Sequence, residues 1–314
     1  MGESQQVVQS SLPSKKGGSV QPRIVLVTRP TEHELLLARH ATQQQADFFL
    51  RQRAQKVDDV VVRHQRFEAV RQGVLAAIPV EWRRSRVPRA DLDRFLFEPG
   101  DIVVAVGQDG LVANVAKYLA GQPVVGINPD PERYEGVLVP HPPAAAPDLI
   151  RAAVAGRARC EERTMVEATL EDGQRLVALN EVFVGHRTHQ SARYTLRVGQ
   201  AAERQSSSGL IVATGTGATG WTRSILRERR CELQPPAPTD PRLAYLVREA
   251  WPSVATGTTV TEGLLGPAES LVVTSEMDDD GVVFGDGIET DRLEFGFGRI
   301  VTVRVSATTL NLVR

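Results

Sequence analysis

Apolar positions in the first half of the chain come in short unbroken runs separated by helical spacing. Arg23-Ile24-Val25-Leu26-Val27-Thr28 is continuous enough to be a strand covered on both faces. From residue 32 to 78 the pattern turns helical, with Leu36, Arg39, Phe48, Phe49, Val70, Val74 and Leu75 recurring at spacings of three and four. A short strand at 80–87 and a helical turn at 92–97 precede a second apolar run, Asp101-Ile102-Val103-Val104-Ala105-Val106. The turn Gly107-Gln108-Asp109-Gly110, a helical stretch at 111–119 and the strand Pro123-Val124-Val125-Gly126-Ile127-Asn128 follow. Strands alternating with helices predict a doubly wound α/β unit with a mostly parallel sheet.

Beyond about residue 159 the texture changes. Val-rich runs alternate with Glu171-Asp172-Gly173, Asp278-Asp279-Asp280-Gly281 and Gly285-Asp286-Gly287, which read as hairpin turns. The second half is therefore predicted to be β-rich and mainly antiparallel, with one helix after Trp221. Pro and Ala crowd residues 140–147. The expected organisation is a disordered tail at 1–22, an α/β domain at 23–150 and a β-rich domain at 151–314, in keeping with about 150 residues per domain for a chain of 314.

Charge narrows the partners. Lys plus Arg number 37 and Asp plus Glu 38, a formal net charge of −1, so nucleic acid and an anionic membrane are not expected partners. No run reaches the roughly 18 uncharged apolar residues of a membrane span, and no apolar leader opens the chain, so a cytoplasmic location is expected. Two cysteines, Cys160 and Cys231, make neither a disulfide framework nor a thiolate metal site. His186 and His189 lack a third ligand nearby and read as loop residues.

Three segments carry chemistry. The turn at 107–110 sits at the carboxyl end of a parallel strand, where open α/β sheets bind ligands. Gly107 and Gly110 let backbone approach a phosphate, and Asp109 could engage a cation or take a proton from an attacking hydroxyl. A plain helix-capping turn is the alternative. Asn180 and Glu181 interrupt the apolar run 178–184, so at least one polar group heads inward and needs a partner, such as a ribose hydroxyl. Finally, Gly215-Thr216-Gly217-Ala218-Thr219-Gly220 spells a G-x-G-x-x-G dinucleotide fingerprint. Its surroundings are antiparallel and Pro-rich, so a ligand-touching loop fits better than an NAD-dependent oxidoreductase, which stays a remote alternative.

In order and at compatible spacing, these segments resemble the NAD kinase family. Gly107-Gln108-Asp109-Gly110 is similar to its Gly-Gly-Asp-Gly signature, Gly126-Ile127-Asn128 to its Gly-x-Asn strand end, and residues 179–182 to its Leu-Asn-Glu-Val. Ser208-Gly209-Leu210 and residues 214–221 resemble its Asp-Gly-Leu and Thr-Pro-Thr-Gly-Ser-Thr-Ala-Tyr block. Asp130-Pro131-Glu132-Arg133 to Gly136, with the Ser-Gly-Leu and Thr-Gly-Thr-Gly spellings, resembles the mitochondrial-type branch. The resemblance implies an NAD kinase-like fold and transfer of the ATP γ-phosphoryl group, with Mg2+, to the 2′-hydroxyl of the adenosine ribose of NAD. It also implies Asp109 as catalytic residue and Gly107 and Gly110 at phosphates. NAD would meet Asn180, Glu181, Ser206, Ser208, Thr219, Gly220, Trp221 and Ser224, and the protein would be a homo-oligomer. Gln108 and Leu111 depart from the family's Gly and Thr, and relatives usually continue past residue 314 with a segment that packs on the first domain. These departures leave a catalytically impaired nucleotide-binding protein as the alternative.

Overall fold

The computed structural model describes residues 22–314, so the expected tail lies almost wholly outside the described residues. In chain order the first elements are β1 (Arg23–Thr28), α1 (Glu32–His40), α2 (Gln43–Arg51), α3 (Val57–Ala77), β2 (Arg83–Pro88), β3 (Asp101–Val106), α4 (Asp109–Ala116), β4 (Pro123–Ile127), α5 (Ala146–Val154) and β5 (Cys160–Arg163). There follow β6 (Val166–Leu170), β7 (Arg175–Ala178), β8 (Glu181–His186), β9 (Ala192–Val198), β10 (Ala201–Ser207), β11 (Leu210–Ala213), α6 (Trp221–Arg229) and β12 (Leu243–Val247). The chain ends through β13 (Glu262–Leu265), β14 (Ser270–Ser275), β15 (Gly281–Gly285), β16 (Arg292–Glu294), β17 (Ile300–Val305) and β18 (Leu310–Val313).

The first sheet has the order β2-β1-β3-β4-β18-β5, and β2, β1, β3, β4 and β18 pair in parallel. Its unbroken apolar strands are explained by cover on both faces. Ile24, Leu26, Val104 and Val106 pack with α3 and α5, whereas Val25, Val27, Val103 and Ala105 pack with α4 and with Met165, Val177 and Leu179 from the β-rich part. Two strands past residue 150 extend this sheet. β5 joins antiparallel to β18, and β18 slots beside β4. The segment that returns to the first sheet is thus residues 310–313 themselves.

The β-rich part is two six-stranded sheets, β10-β9-β14-β17-β6-β7 and β13-β12-β11-β8-β15-β16, all of whose pairings are antiparallel. Their facing sides share one core around Tyr194, Leu196, Leu210, Val212 and Phe295. The outer side of the second sheet is covered by Ile225 and Leu226 of α6 packing on Phe183 and Ile211. Residues 171–173 and 285–287 connect paired antiparallel strands, as the Asp-Gly spelling predicts. The turn at 278–281 does not. β14 and β15 lie in different sheets, so this turn carries the chain across the sandwich, with Asp280 at φ 56° and ion-paired to Arg187. Turn spelling reports a local reversal, whereas the partner of each strand is chosen by burial. No described helix is long and apolar enough to cross a membrane.

Candidate functional site

Asp109 opens α4 at the carboxyl end of β3. Its Oδ1 accepts the Leu138 and Val139 amides at 2.8 and 3.2 Å, and its Oδ2 accepts the Val137 amide at 3.1 Å. The loop that supplies these amides is held from below. A Cβ on Gly126 would lie 2.2 Å from the Leu138 carbonyl oxygen, so the glycine of Gly126-Ile127-Asn128 lets the loop lie against β4. Asn128 tightens the excursion by donating to the Tyr134 carbonyl at 2.8 Å and accepting the Asp130 amide at 3.0 Å. Gln108 has φ −99° and ψ 167°, an extended conformation open to any residue, so its side chain costs no left-handed strain. The Gly107 amide donates to the Ile127 carbonyl at 3.1 Å and is not free for a phosphate.

Across from Asp109 stands the start of β8. Asp286 sits in the left-handed region at φ 54°, which aims its carboxylate at the Leu179 and Asn180 amides, 2.9 and 2.7 Å away. Its own amide donates to the Glu181 carbonyl at 3.1 Å. On the other side Thr214 donates through its backbone to the Asn180 carbonyl at 2.9 Å and through its hydroxyl to the Leu179 carbonyl at 2.6 Å. Gly217 packs so closely that a Cβ there would be 2.2 Å from the Asn180 oxygen. Asn180 and Glu181 are therefore gripped from both sides. Burial, with the Asp286 carboxylate beside it, pushes Glu181 up to about 7, and burial pushes Asp286 up to about 6.

These pieces meet. A cavity of about 250 Å³ is lined by Asp109, Gly110, Asn180, Glu181, Gly217 and Thr219 to Trp221, with Val137, Leu138 and Thr216 completing it. Trp221 stacks on Phe183 at 6.0 Å between ring centroids, with the Arg248 guanidinium 5.0 Å from the Trp221 ring. Gly209, at φ 108°, makes room for the Phe183 ring. The Ser208 amide donates to the Arg248 carbonyl, which brings Ser208 beside this stack without lining the cavity. Ser224 lies exposed on the first turn of α6. Ser206 lines a different cavity, with Trp251 and Glu276, so it is not part of this one. Gly107 also faces elsewhere, into a neighbouring cavity.

Sequence reading misses two charged residues here. Arg163 is only 3% exposed in its side chain, ion-paired to Glu161 at 2.8 Å and donating to the Thr216 hydroxyl at 3.2 Å. Burial draws its guanidinium down, against the opposing pull of Glu161 and, more weakly, Asp109. It hides in Glu161-Glu162-Arg163, which looks like a solvated strand edge. Asp286 hides in Gly285-Asp286-Gly287, which looks like an ordinary turn. The G-x-G-x-x-G loop follows β11, whose two neighbours, β8 and β12, are both antiparallel, so it opens no βαβ unit.

No family model matches the chain. Among known proteins it is 38% identical to an NAD kinase of Methylococcus capsulatus over 137 residues, 41% of this chain and 46% of that protein. It is 25% identical to rat NAD kinase 2, mitochondrial, over 262 residues, 67% of this chain and 62% of that one. The chain thus matches about half the length of the first bacterial relatives. In fold it resembles the NAD kinase of Archaeoglobus fulgidus solved with ATP, at a TM-score of 0.57 and 19% identity over 93% of each chain. It also resembles yeast NADH kinase solved with NADH, at a TM-score of 0.57 and 13% identity, covering 94% of this chain and 84% of that one. Motif order, relatives and fold agree in their likeness to the NAD kinase family.

Proposed function

We propose that the protein transfers the γ-phosphoryl group of ATP to the 2′-hydroxyl of the adenosine ribose of NAD, giving NADP. The observation that supports this reading is the meeting of Asp109, Asn180, Glu181 and residues 219–221 around one cavity. Phosphoryl transfer asks for positioning and charge stabilisation rather than covalent chemistry. A carboxylate offers about four lone-pair sites and three of those on Asp109 accept amides, which leaves one for the attacking hydroxyl. Asp109 would orient that hydroxyl and accept its proton. Asn180 and Glu181 would hold ribose hydroxyls, and Glu181, titrating near 7, can accept or donate there. Thr219, Gly220 and Trp221 would close over the sugar, Gly110 would stand next to the transferred phosphoryl group, and Ser208 and Ser224 would meet the dinucleotide outside the cavity. Ser206 has no part in this reading.

Among the described residues no cluster of three His, Cys, Asp or Glu could hold a metal ion. Two carboxylates, Asp109 and Glu181, do line the cavity, which suits Mg2+ carried mainly by donor phosphates and touched by one or two carboxylates. Bound there, the ion would neutralise charge on the phosphoryl oxygens.

A second reading is favoured by the same three amide bonds. If Asp109 serves only to hold the 137–139 loop, the protein binds NAD without turning it over. Incubation of the purified chain with ATP, Mg2+ and NAD, assayed for NADP, separates the two. NADP formation that depends on Asp109 supports the kinase. Tight NAD binding by calorimetry with no NADP supports the binder and overturns the kinase. Homo-oligomerisation belongs to this proposal too, and light scattering checks it.

A further inference from the structure

The cavity has two walls, and they come from different parts of the chain. Asp109 and the loop after Gly136 stand on the α/β side, and Asn180, Glu181 and the 215–220 loop stand on the β-rich side. Each wall makes a hydrogen bond to one small cluster of charges that lies behind the cavity and does not line it.

Glu161 on β5 is the centre of that cluster. Its Oε1 lies 2.8 Å from Arg163 Nε, and its carboxylate also accepts Nε and Nη2 of Arg314 at 3.0 and 3.1 Å. Two guanidiniums therefore share one carboxylate, and the contact with Arg314 is bidentate, which fixes direction as well as distance. Arg163 follows Glu161 by two along a strand, so both side chains stand on the same face. Its guanidinium is buried and donates to the Thr216 hydroxyl at 3.2 Å, in the loop that grips Asn180. Arg314 reaches the other way. It donates to the Val137 carbonyl at 3.4 Å, and next to it the Val313 carbonyl lies 2.9 Å from His141 Nε2. This second arm thus ends on the loop whose amides hold Asp109.

We propose that Glu161, Arg163 and Arg314 are positioning residues that set the gap between the two walls of the cavity. The effect on rate rests on the kinase reading, whereas the coupling of the walls rests on the hydrogen bonds alone. None of the three lines the cavity, so they act through Asp109 on one wall and Asn180 and Glu181 on the other. Reaction needs the attacking oxygen and the phosphorus about 3–3.5 Å apart, and a shift of about 1 Å caused far from the chemistry can cost about 100-fold. A cluster that ties wall to wall controls that separation more than it controls the grip on either substrate. Its loss should therefore lower kcat and leave KM for NAD almost unmoved.

Arg314 is the arm to cut first, because it is exposed and its loss leaves the buried pair of Arg163 with Glu161 intact. In Arg314→Gln of the full chain, kcat should fall about tenfold. KM and the calorimetric Kd for NAD should stay within about twofold, a change too small to mark a lost contact with NAD, and the thermal midpoint should not move. Thr216→Val cuts the other arm, removing the hydroxyl that Arg163 meets while keeping the side-chain shape. The double variant should turn over no more slowly than the slower single one, since one cluster carries both arms. Hydrogen exchange reads the coupling without turnover. Thr216→Val should speed exchange of the Val137, Leu138 and Val139 amides, on the wall it does not touch, by about fivefold, the worth of one hydrogen bond. Unchanged kcat in Arg314→Gln, single effects that multiply, a fall in kcat matched by the thermal midpoint or by NAD affinity, or exchange that rises only beside each cut would each overturn the inference. NADP formation by the wild type would still uphold the kinase in all four cases. Wild-type protein that makes no NADP yet transmits the exchange effect across the cavity would keep the cluster's role and sink the kinase reading.

Discussion

At the scale of single residues, Asp109 holds the 137–139 loop and, in the proposed reading, also takes the acceptor's proton, so one substitution should expose both duties. Asp109→Asn keeps the size but turns one oxygen into a donor that faces an amide N–H. Under the proposed chemistry turnover should fall about 100-fold or more, because the proton acceptor is lost. The 137–139 loop should also loosen, at about 1–2 kcal/mol, since at least one of the three amide bonds goes. NAD affinity should hardly change. Near-normal turnover in steady-state assays would move the chemistry off Asp109. Glu181 makes a different prediction, because its folded state favours the protonated form. Between its ordinary value, near 4.5, and about 7, the folded protein binds more protons than the unfolded chain, so wild-type stability falls as pH rises through that window. Glu181→Gln removes this dependence. Relative to wild type, its unfolding free energy should rise by about 1–3 kcal/mol between pH 5 and pH 8, while its NAD binding weakens. Denaturant melts at the two pH values check the first, and equal slopes for both proteins would refute it.

At the scale of elements, what matters is how closely one loop lies against another. The 215–220 loop does not merely border the cavity, for Gly217 rests on the backbone of Asn180. Gly217→Ala would put a methyl 2.2 Å from that carbonyl oxygen, and backbone must move to admit it. We expect a loss of about 1–3 kcal/mol in stability and a parallel weakening of NAD binding, measured by thermal unfolding and calorimetry. Gly110→Ala, whose Cβ meets nothing within 4 Å, is the control for stability alone. The signature glycines are thus unequal: Gly126 and Gly217 are required by close approach, whereas Gly110 is not required by packing.

At the scale of the whole molecule, the two halves are tied by strands that cross the boundary read from the sequence. β18 puts Leu310 and Leu312 into the core of the first sheet, both essentially without exposed surface. Leu312→Ala should therefore destabilise the α/β part by about 2–5 kcal/mol, although the residue is third from the end of the chain. Hydrogen exchange should show lost protection in β4 and β5, its two neighbours. Loss confined to the β-rich sheets would contradict the topology. A second tie is the ion pair between Lys117, 3% exposed, and Asp291, at 2.6 Å, with Tyr118 also donating to Asp291. It holds the turn that carries Asp286, and so the site, against α4.

Local spelling alone determined much of this protein. Unbroken apolar runs of four and five residues, at 24–27 and 102–106, implied a parallel sheet covered on both faces, and Val-rich runs broken by Asp-Gly implied antiparallel sheets, because each pattern is the surface its element must bury. Asp109, Asn180, Glu181 and residues 219–221 were legible as candidates, since a polar group or glycine inside an apolar run calls for a partner, and the fold brings them to one cavity. The tertiary structure alone decided which strands pair, and hence that residues 278–281 cross between sheets and that residues 310–313 come back to β4. It decided that Ser206 belongs to another cavity. It also gave Arg163 and Asp286 their places, because a charged residue in a polar setting looks solvated until the fold buries it. Pairing, enclosure and burial depend on residues far apart in the chain, and no window of sequence contains both partners.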